Sequence, residues 1–175
     1  MPDPYVSTYL GHRFYLTRPH IDDIAIEDIA HGLAYQCRFN GQTREFYSVA
    51  QHSLMVMELV PEPYRLAALL HDAAEAYLGD MVKPLKNLFP AFSEIEGRVM
   101  EIIGHRFGVD LANLHPSIKE ADRIALATEK RDLMPHSTEP WSYLAGVEAL
   151  PDVILPMPPQ AAKQGFLAAF TQIVA

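Results

Sequence analysis

The sequence predicts an all-α domain, with room for one small β-hairpin at its start. Three observations predict it. Apolar side chains recur at spacings of three and four through the middle of the chain, Ser-x-x-Glu/Gln signatures precede several of these runs, and Gly, Asn or Pro follows them. The signatures are Ser48 to Gln51, Ser93 to Glu96 and Ser117 to Glu120, each spaced as a capping box in which two orphan amides at a helix start are satisfied reciprocally.

Taken in order, residues 5–16 carry β-branched and aromatic side chains on both sides of Gly11-His12, which suits a hairpin. Ile26, Ile29, Ala30, Leu33 and Ala34 mark a helix that ends before Asn40-Gly41. A helix over 49–60 puts Met55, Val56 and Leu59 on one face. The next starts near Pro63, a residue suited to a first helical turn, and runs through Leu66, Leu69, Leu70 and Ala74 to stop at Gly79. Ile95, Val99, Ile102 and Phe107 define a third, ending near Gly108, and Ile118, Ala125, Leu126 and Leu133 a fourth over about 118–133. Prolines at 135, 140, 151, 156, 158 and 159 then separate a short helical piece over 141–150 from a last helix over 160–174. We expect one domain over 1–175, with its core in 26–133 and a Pro-rich wrap over 134–175.

Composition narrows the function classes. The 175 residues include 22 acids against 14 Lys and Arg, for a formal charge of −8, and 49% are hydrophobic. A chain this long buries enough surface to fold without a disulfide framework, and Cys37 alone supplies none. The acidic balance argues against gripping duplex DNA or RNA, whose affinity comes from cations neutralising phosphates. A small anionic ligand stays open, because a bound metal or a few local cations reverse the field inside a pocket. No run approaches the ~20 apolar residues of a membrane span, and residues 1–5 lack a basic, then apolar leader. With its single cysteine, the chain is expected in the cytoplasm.

The most informative stretch is Leu70-His71-Asp72-Ala73-Ala74-Glu75, where an imidazole and two carboxylates interrupt an alanine-rich apolar helix. Buried ionised groups are tolerated only when paired or bound to a cation. His52 falls on the stripe of Met55, Val56 and Leu59, and Asp122 lies at the centre of the face formed by Ile118, Ala125, Leu126 and Leu133. Three separate helices thus aim ionisable groups inward. Convergence on one divalent cation, with two imidazoles and two carboxylates as ligands, reconciles them.

These residues resemble the HD-domain metal-dependent phosphohydrolases, and within them the branch of bacterial 5′-deoxynucleotidases. The resemblance rests on Val49-Ala50-Gln51-His52-Ser53-Leu54, on His71-Asp72-Ala73-Ala74-Glu75-Ala76-Tyr77-Leu78-Gly79-Asp80, on Pro84-Leu85-Lys86 and on Lys119-Glu120-Ala121-Asp122, covering about residues 38–122. It implies a compact HD-type helical bundle in which His52, His71, Asp72 and Asp122 hold the metal. It also implies that Glu75 assists the attacking water, that Asp72 shares in proton handling, and that Arg38 and Asp80 contact the substrate. Phe39 stands where that branch has a tryptophan, and Lys83 where it has a smaller hydroxyl residue.

The function expected is hydrolysis of a small phosphate monoester, a (deoxy)nucleoside 5′-monophosphate or a relative, with one divalent transition ion (Mn, Co, Fe, Ni or Zn, with Mg less suited). A phosphodiesterase or nucleoside-triphosphate hydrolase on the same scaffold is an alternative, as is a non-catalytic metal or nucleotide sensor. A homodimer stays open. Lys86 and Arg44 read as solvated charges. Glu129, on the face of Asp122, reads either as an acid behind the metal ligands or as a partner for a basic side chain. His105 and His115 are not expected to add a second metal, and Trp141 and Tyr143 are expected to pack in the core.

Overall fold

Residues Tyr5–Ser7 (β1) and Arg13–Tyr15 (β2) pair antiparallel, with Val6 opposite Phe14. The structure is a computed structural model that describes residues 3–137 and 139–175; Met1 and Pro2, part of the leader reading, lie outside the described residues. The pleat sends Phe14 inward, where it is fully buried and stacks on Tyr77 with ring centroids 4.0 Å apart. All other regular elements are helical: α1 (Ile26–Tyr35), α2 (Val49–Glu58), α3 (Arg65–Leu69), α4 (Glu75–Leu78), α5 (Lys83–Lys86), α6 (Pro90–Phe107), α7 (Pro116–Asp132) and α8 (Pro159–Val174), with short 3-10 turns between them. The expected all-α class with an N-terminal hairpin is what the chain adopts.

At the centre lies α2. It packs against α1, α3, α7 and α8, so its apolar residues and His52 are buried from several sides. Leu33, Val49, Val56, Leu69, Leu70, Ile103, Ile118 and Phe166 are fully or almost fully buried. Each large side chain of this set stabilises the fold by roughly 1.5–3 kcal/mol through area removed from water.

The helix starts divide into one confirmed cap and two displaced ones. Ser48 Oγ accepts the Gln51 N–H at 3.1 Å, which is half of its capping box; the Gln51 side chain turns instead to Leu155 and Met157 of the tail. Ser93, by contrast, lies inside α6, which begins with Pro90 at its first position, where the missing N–H costs nothing. Likewise α7 begins at Pro116, and the His115 ring, not Ser117, receives an amide: Nδ1 accepts the Ser117 N–H at 3.3 Å.

A larger correction falls on the helix expected from Pro63 to Gly79. It is broken into α3 and α4 by residues 70–74, held by bonds of the i to i+3 type such as Ala73 N–H to Leu70 O and Glu75 N–H to Asp72 O. The cause is local: His71 Nδ1 donates to the Ala68 carbonyl at 2.7 Å, taking the acceptor that a continuous helix would offer to Asp72 N–H. Gly79 ends α4 at φ 89° and ψ 150°, a region open essentially to glycine.

Backbone groups of the tail are tethered to α2 and α7. Gln51 bonds both the Leu155 carbonyl and the Met157 N–H, Thr128 Oγ1 accepts the Leu150 N–H, and Asp132 Oδ2 accepts the Ile154 N–H. The helix expected over 141–150 is only a 3-10 turn at Ser142–Leu144. Trp141 is half-buried and Tyr143 exposed, against the expectation of core packing; prolines 140 and 151 and the backbone tethers leave too little chain for a buried helix face. Among the described residues no helix is long and apolar enough to cross a membrane.

Candidate metal centre

Four ionisable side chains from three parts of the chain meet beside α2. His52 Nε2 lies 3.3 Å from His71 Nε2, 3.6 Å from Asp72 Oδ2 and 3.2 Å from Asp122 Oδ1, and His71 Nε2 lies 3.2 Å from Asp72 Oδ2. One ligand atom from each of His52, His71 and Asp72 falls within 4.8 Å of the others, with Asp122 flanking this trio from α7. His52 is fully buried in α2, whereas Asp72 and Asp122 keep partial access to solvent.

The far nitrogen of each imidazole is committed. His52 Nδ1 donates to Glu129 Oε1 at 2.7 Å, and His71 Nδ1 donates to the Ala68 carbonyl, which can only accept. In the neutral rings, Nε2 therefore carries the lone pair in both residues. Two lone pairs 3.3 Å apart beside two carboxylates need a positive species among them, a proton or a cation. The donor set fits a divalent transition ion: neutral imidazoles, carboxylates, and outer partners that fix each ring's tautomer.

The electrostatics agree. Burial and the Arg38 charge oppose protonation of His52, yet Glu129 and Asp122 outweigh them and lift it to about 9. His71 is raised as well, because Asp72 overcomes the burial penalty. Burial alone would raise Asp72, but His71, His52 and Arg38 hold it well below the usual carboxylate range. Asp122 is lowered against burial by His52 and His71.

Glu75 opens α4 and is buried, and its Oε2 has no hydrogen-bond partner among the described residues. Burial, then the charges of Asp72 and Asp80, push it well above the ordinary carboxylate range. With His71 and Asp72 it lines a cleft of about 360 Å³ whose far wall is α6. Asp80 is half-buried just beyond Gly79, and burial raises it too. Gln36, which the sequence reading passed over, ties these segments together: its Nε2 donates to the Glu75 carbonyl at 2.6 Å and its Oε1 accepts the Asp80 N–H at 2.7 Å. No periodicity marks Gln36, because it sits in the connection after α1.

Arg38 reaches the cluster from the α1–α2 connection. Its Nε and Nη2 both donate to Glu129 Oε2, at 3.2 and 3.0 Å, which leaves Nη1 facing Asp72 Oδ2 at 3.7 Å. The next two residues, Phe39 and Asn40, hold left-handed dihedrals (φ 55° and 52°), a strained turn for Phe that aims Arg38 inward. Glu129 is thus the buried support of both Arg38 and His52, and those two hold it below the usual range despite burial. Its spacing of seven from Asp122, two turns of one helix, was the signal.

Two expectations about cations are corrected or refined. Lys86 is not a solvated charge: it is half-buried at the cleft and pairs with Glu96 at 2.7 Å, because α5 lies against α6. His105 is exposed, and His115 caps α7 and stacks on Tyr64 at 3.8 Å, so neither joins the cluster.

No family model matches the chain. It is 38% identical over 170 residues to the uncharacterized protein YfdR of Escherichia coli, covering 97% of this chain and 95% of that protein. It is also 43% identical over 136 residues to the uncharacterized protein RCAP_rcc00048 of Rhodobacter capsulatus, covering 70% of this chain and 69% of that protein. At this identity and coverage, the chain belongs to the same family as YfdR.

Proposed function

We propose that the chain is a metal-dependent phosphohydrolase acting on a small phosphate monoester, a (deoxy)nucleoside 5′-monophosphate or a close relative. The observation that carries this reading is the facing pair of imidazole Nε2 atoms, 3.3 Å apart and flanked by Asp72 and Asp122, with both Nδ1 atoms already engaged. The order His52, His71-Asp72, Asp122 is similar to that of HD-domain phosphohydrolases, which supports the same conclusion. These four residues would hold one divalent transition ion. Such an ion supplies Lewis acidity, acidifying water and drawing negative charge from a phosphoryl group.

The chain's own groups do the rest. Glu75, whose carboxyl is raised by burial and by its acidic neighbours, is placed beside His71 and Asp72 in the cleft, where its ionised form would accept a proton from the attacking water. Asp72 would be one of the ligands and, being adjacent to His71, would share in moving that proton. The Nη1 edge of Arg38, the part not engaged by Glu129, would hold a phosphoryl oxygen, and Asp80 would order water or a sugar hydroxyl. The cleft favours a monophosphate over a triphosphate, since the cation in its lining, Lys86, is already paired with Glu96.

Phosphate release from nucleoside monophosphates, triphosphates and diesters, each with Mn, Co, Mg and Zn, tests the proposal. Monophosphate turnover that Glu75→Gln abolishes while metal content is retained is the expected result. Absence of turnover with every metal would favour a sensor, and loss of metal in Glu75→Gln would make Glu75 a ligand.

A further inference from the structure

Helix α4 serves two cavities. Glu75 lines the cleft at the candidate metal centre, whereas Tyr77, two residues on, lines a separate cavity of about 320 Å³. Its walls are residues 6–9 of the hairpin, Asp28, His31 and Gly32 of α1, and Ala76 and Tyr77 of α4. A Cβ at Gly32 would come within 2.9 Å of Ala76, so the two helix backbones touch along one side of the cavity. The volume falls in the range of small-molecule sites.

Two residues of this lining carry buried polar atoms with unmet needs. Asp28 is 4% exposed; its Oδ1 accepts the Leu10 N–H at 2.8 Å, while its Oδ2 has no hydrogen-bond partner among the described residues. The half-exposed His12 ring lies beside Oδ2, with Nδ1 at 3.5 Å. The Tyr77 hydroxyl is likewise buried without a partner among the described residues, and burial, then the charge of Asp28, raises its pKa. The Ala25 N–H points its proton at the phenol oxygen, which serves the oxygen as acceptor but offers the phenol's own proton no acceptor. One atom lacks a donor and the other lacks an acceptor, and a ligand that supplied both would relieve two desolvation penalties at once. The outer wall is aromatic: Tyr9 stacks on His31 at 4.0 Å, and Lys163 Nζ lies 3.9 Å from the Tyr9 ring centroid and 3.4 Å from His31 Nδ1. That ammonium disfavours a ligand carrying two positive charges.

We propose that this cavity binds a small monocationic amine that carries a neighbouring oxygen and a flat apolar body. Its ammonium donates to Asp28 Oδ2, its oxygen accepts from the Tyr77 hydroxyl, and its body lies against Tyr9. The site is independent of the metal centre and of the reaction proposed there.

Three matched compounds test this on the full chain by calorimetry and by chemical-shift titration: 2-amino-1-phenylethanol, phenethylamine and 1-phenylethanol. The amino alcohol should bind one per chain; removing its hydroxyl should weaken binding by about twofold to tenfold, the value of one hydrogen bond, and removing its amine should weaken it by more than about tenfold. Asp28→Asn, which keeps the acceptor for Leu10 N–H, should erase the preference for the amine. Tyr77→Phe, which keeps the stack on Phe14, should erase the preference for the hydroxyl. Asp122→Asn, on α7 and outside the lining of this cavity, should leave all three affinities unchanged, so failure of the phosphohydrolase reading would not disturb this result. No saturable binding up to about 10 mM, equal binding of the three compounds, or affinities indifferent to Asp28→Asn would each overturn the proposal.

Discussion

Glu129→Gln is the sharpest test of how the centre is supported. Glu129 is fully buried and receives three hydrogen bonds, at 2.7 Å from His52 Nδ1 and at 3.0 and 3.2 Å from Arg38. Glutamine fills the same space but has one acceptor oxygen, so its NH₂ must face either the His52 N–H or the guanidinium. The buried Arg38 then loses its main anion and keeps Asp72 at 3.7 Å, with the charges of Asp122 and Asp80 acting in support. Removing one partner of a buried pair costs about 3–5 kcal/mol, and the remaining Asp72 places the expectation at the lower end, about 3 kcal/mol. His52 also loses the partner that fixes its tautomer, for which metal affinity should fall about 10- to 100-fold. Urea unfolding of the metal-free chain and chelator competition measure the two effects separately. The sign with pH follows from the lowered pKa of Glu129: its stabilisation is complete above its unfolded value of 4.5 and is lost as pH falls through the folded value, so the variant and the parent should converge in acid. A variant within about 1 kcal/mol of the parent, with unchanged metal affinity, would refute the reasoning.

Metal affinity should rise with pH through about 9 and release protons, because the ion must displace the proton that the carboxylates hold on His52; chelator-buffered titrations at several pH values measure it. For the metal-free chain, the same raised value gives stabilisation complete below the unfolded value of 6.5 and lost as pH rises through about 9, readable as a falling urea midpoint. Gly79→Ala should cost about 1–3 kcal/mol in unfolding free energy, since φ 89° with ψ 150° excludes a Cβ.

Much of the framework is legible in the sequence because burial imposes its period. Ile29 and Leu33 in α1, Val56 in α2, Val99 and Ile103 in α6, and Ile118 and Ala125 in α7 are buried in the structure, and most lie on the stripes that the spacing marks. The same logic finds His52 as an ionisable group on an apolar stripe. What the sequence hides is competition between side chain and backbone. The break between α3 and α4 depends on the His71 ring taking the Ala68 carbonyl, and an apolar period cannot report that. Proline at the first position moved two helix starts upstream of the Ser-x-x-Glu pattern at Ser93 and Ser117. The Gln36 clamp and the strained turn at Phe39 sit in connections, where no period exists to read.

The most direct measurement is elemental analysis of the purified chain and of His71→Ala. The account predicts about one divalent transition ion per chain in the parent, little or none in the variant, and a variant that remains folded by circular dichroism. A parent that stays metal-free after incubation with Mn, Co, Fe, Ni or Zn, or a His71→Ala variant that binds as tightly as the parent, would contradict it.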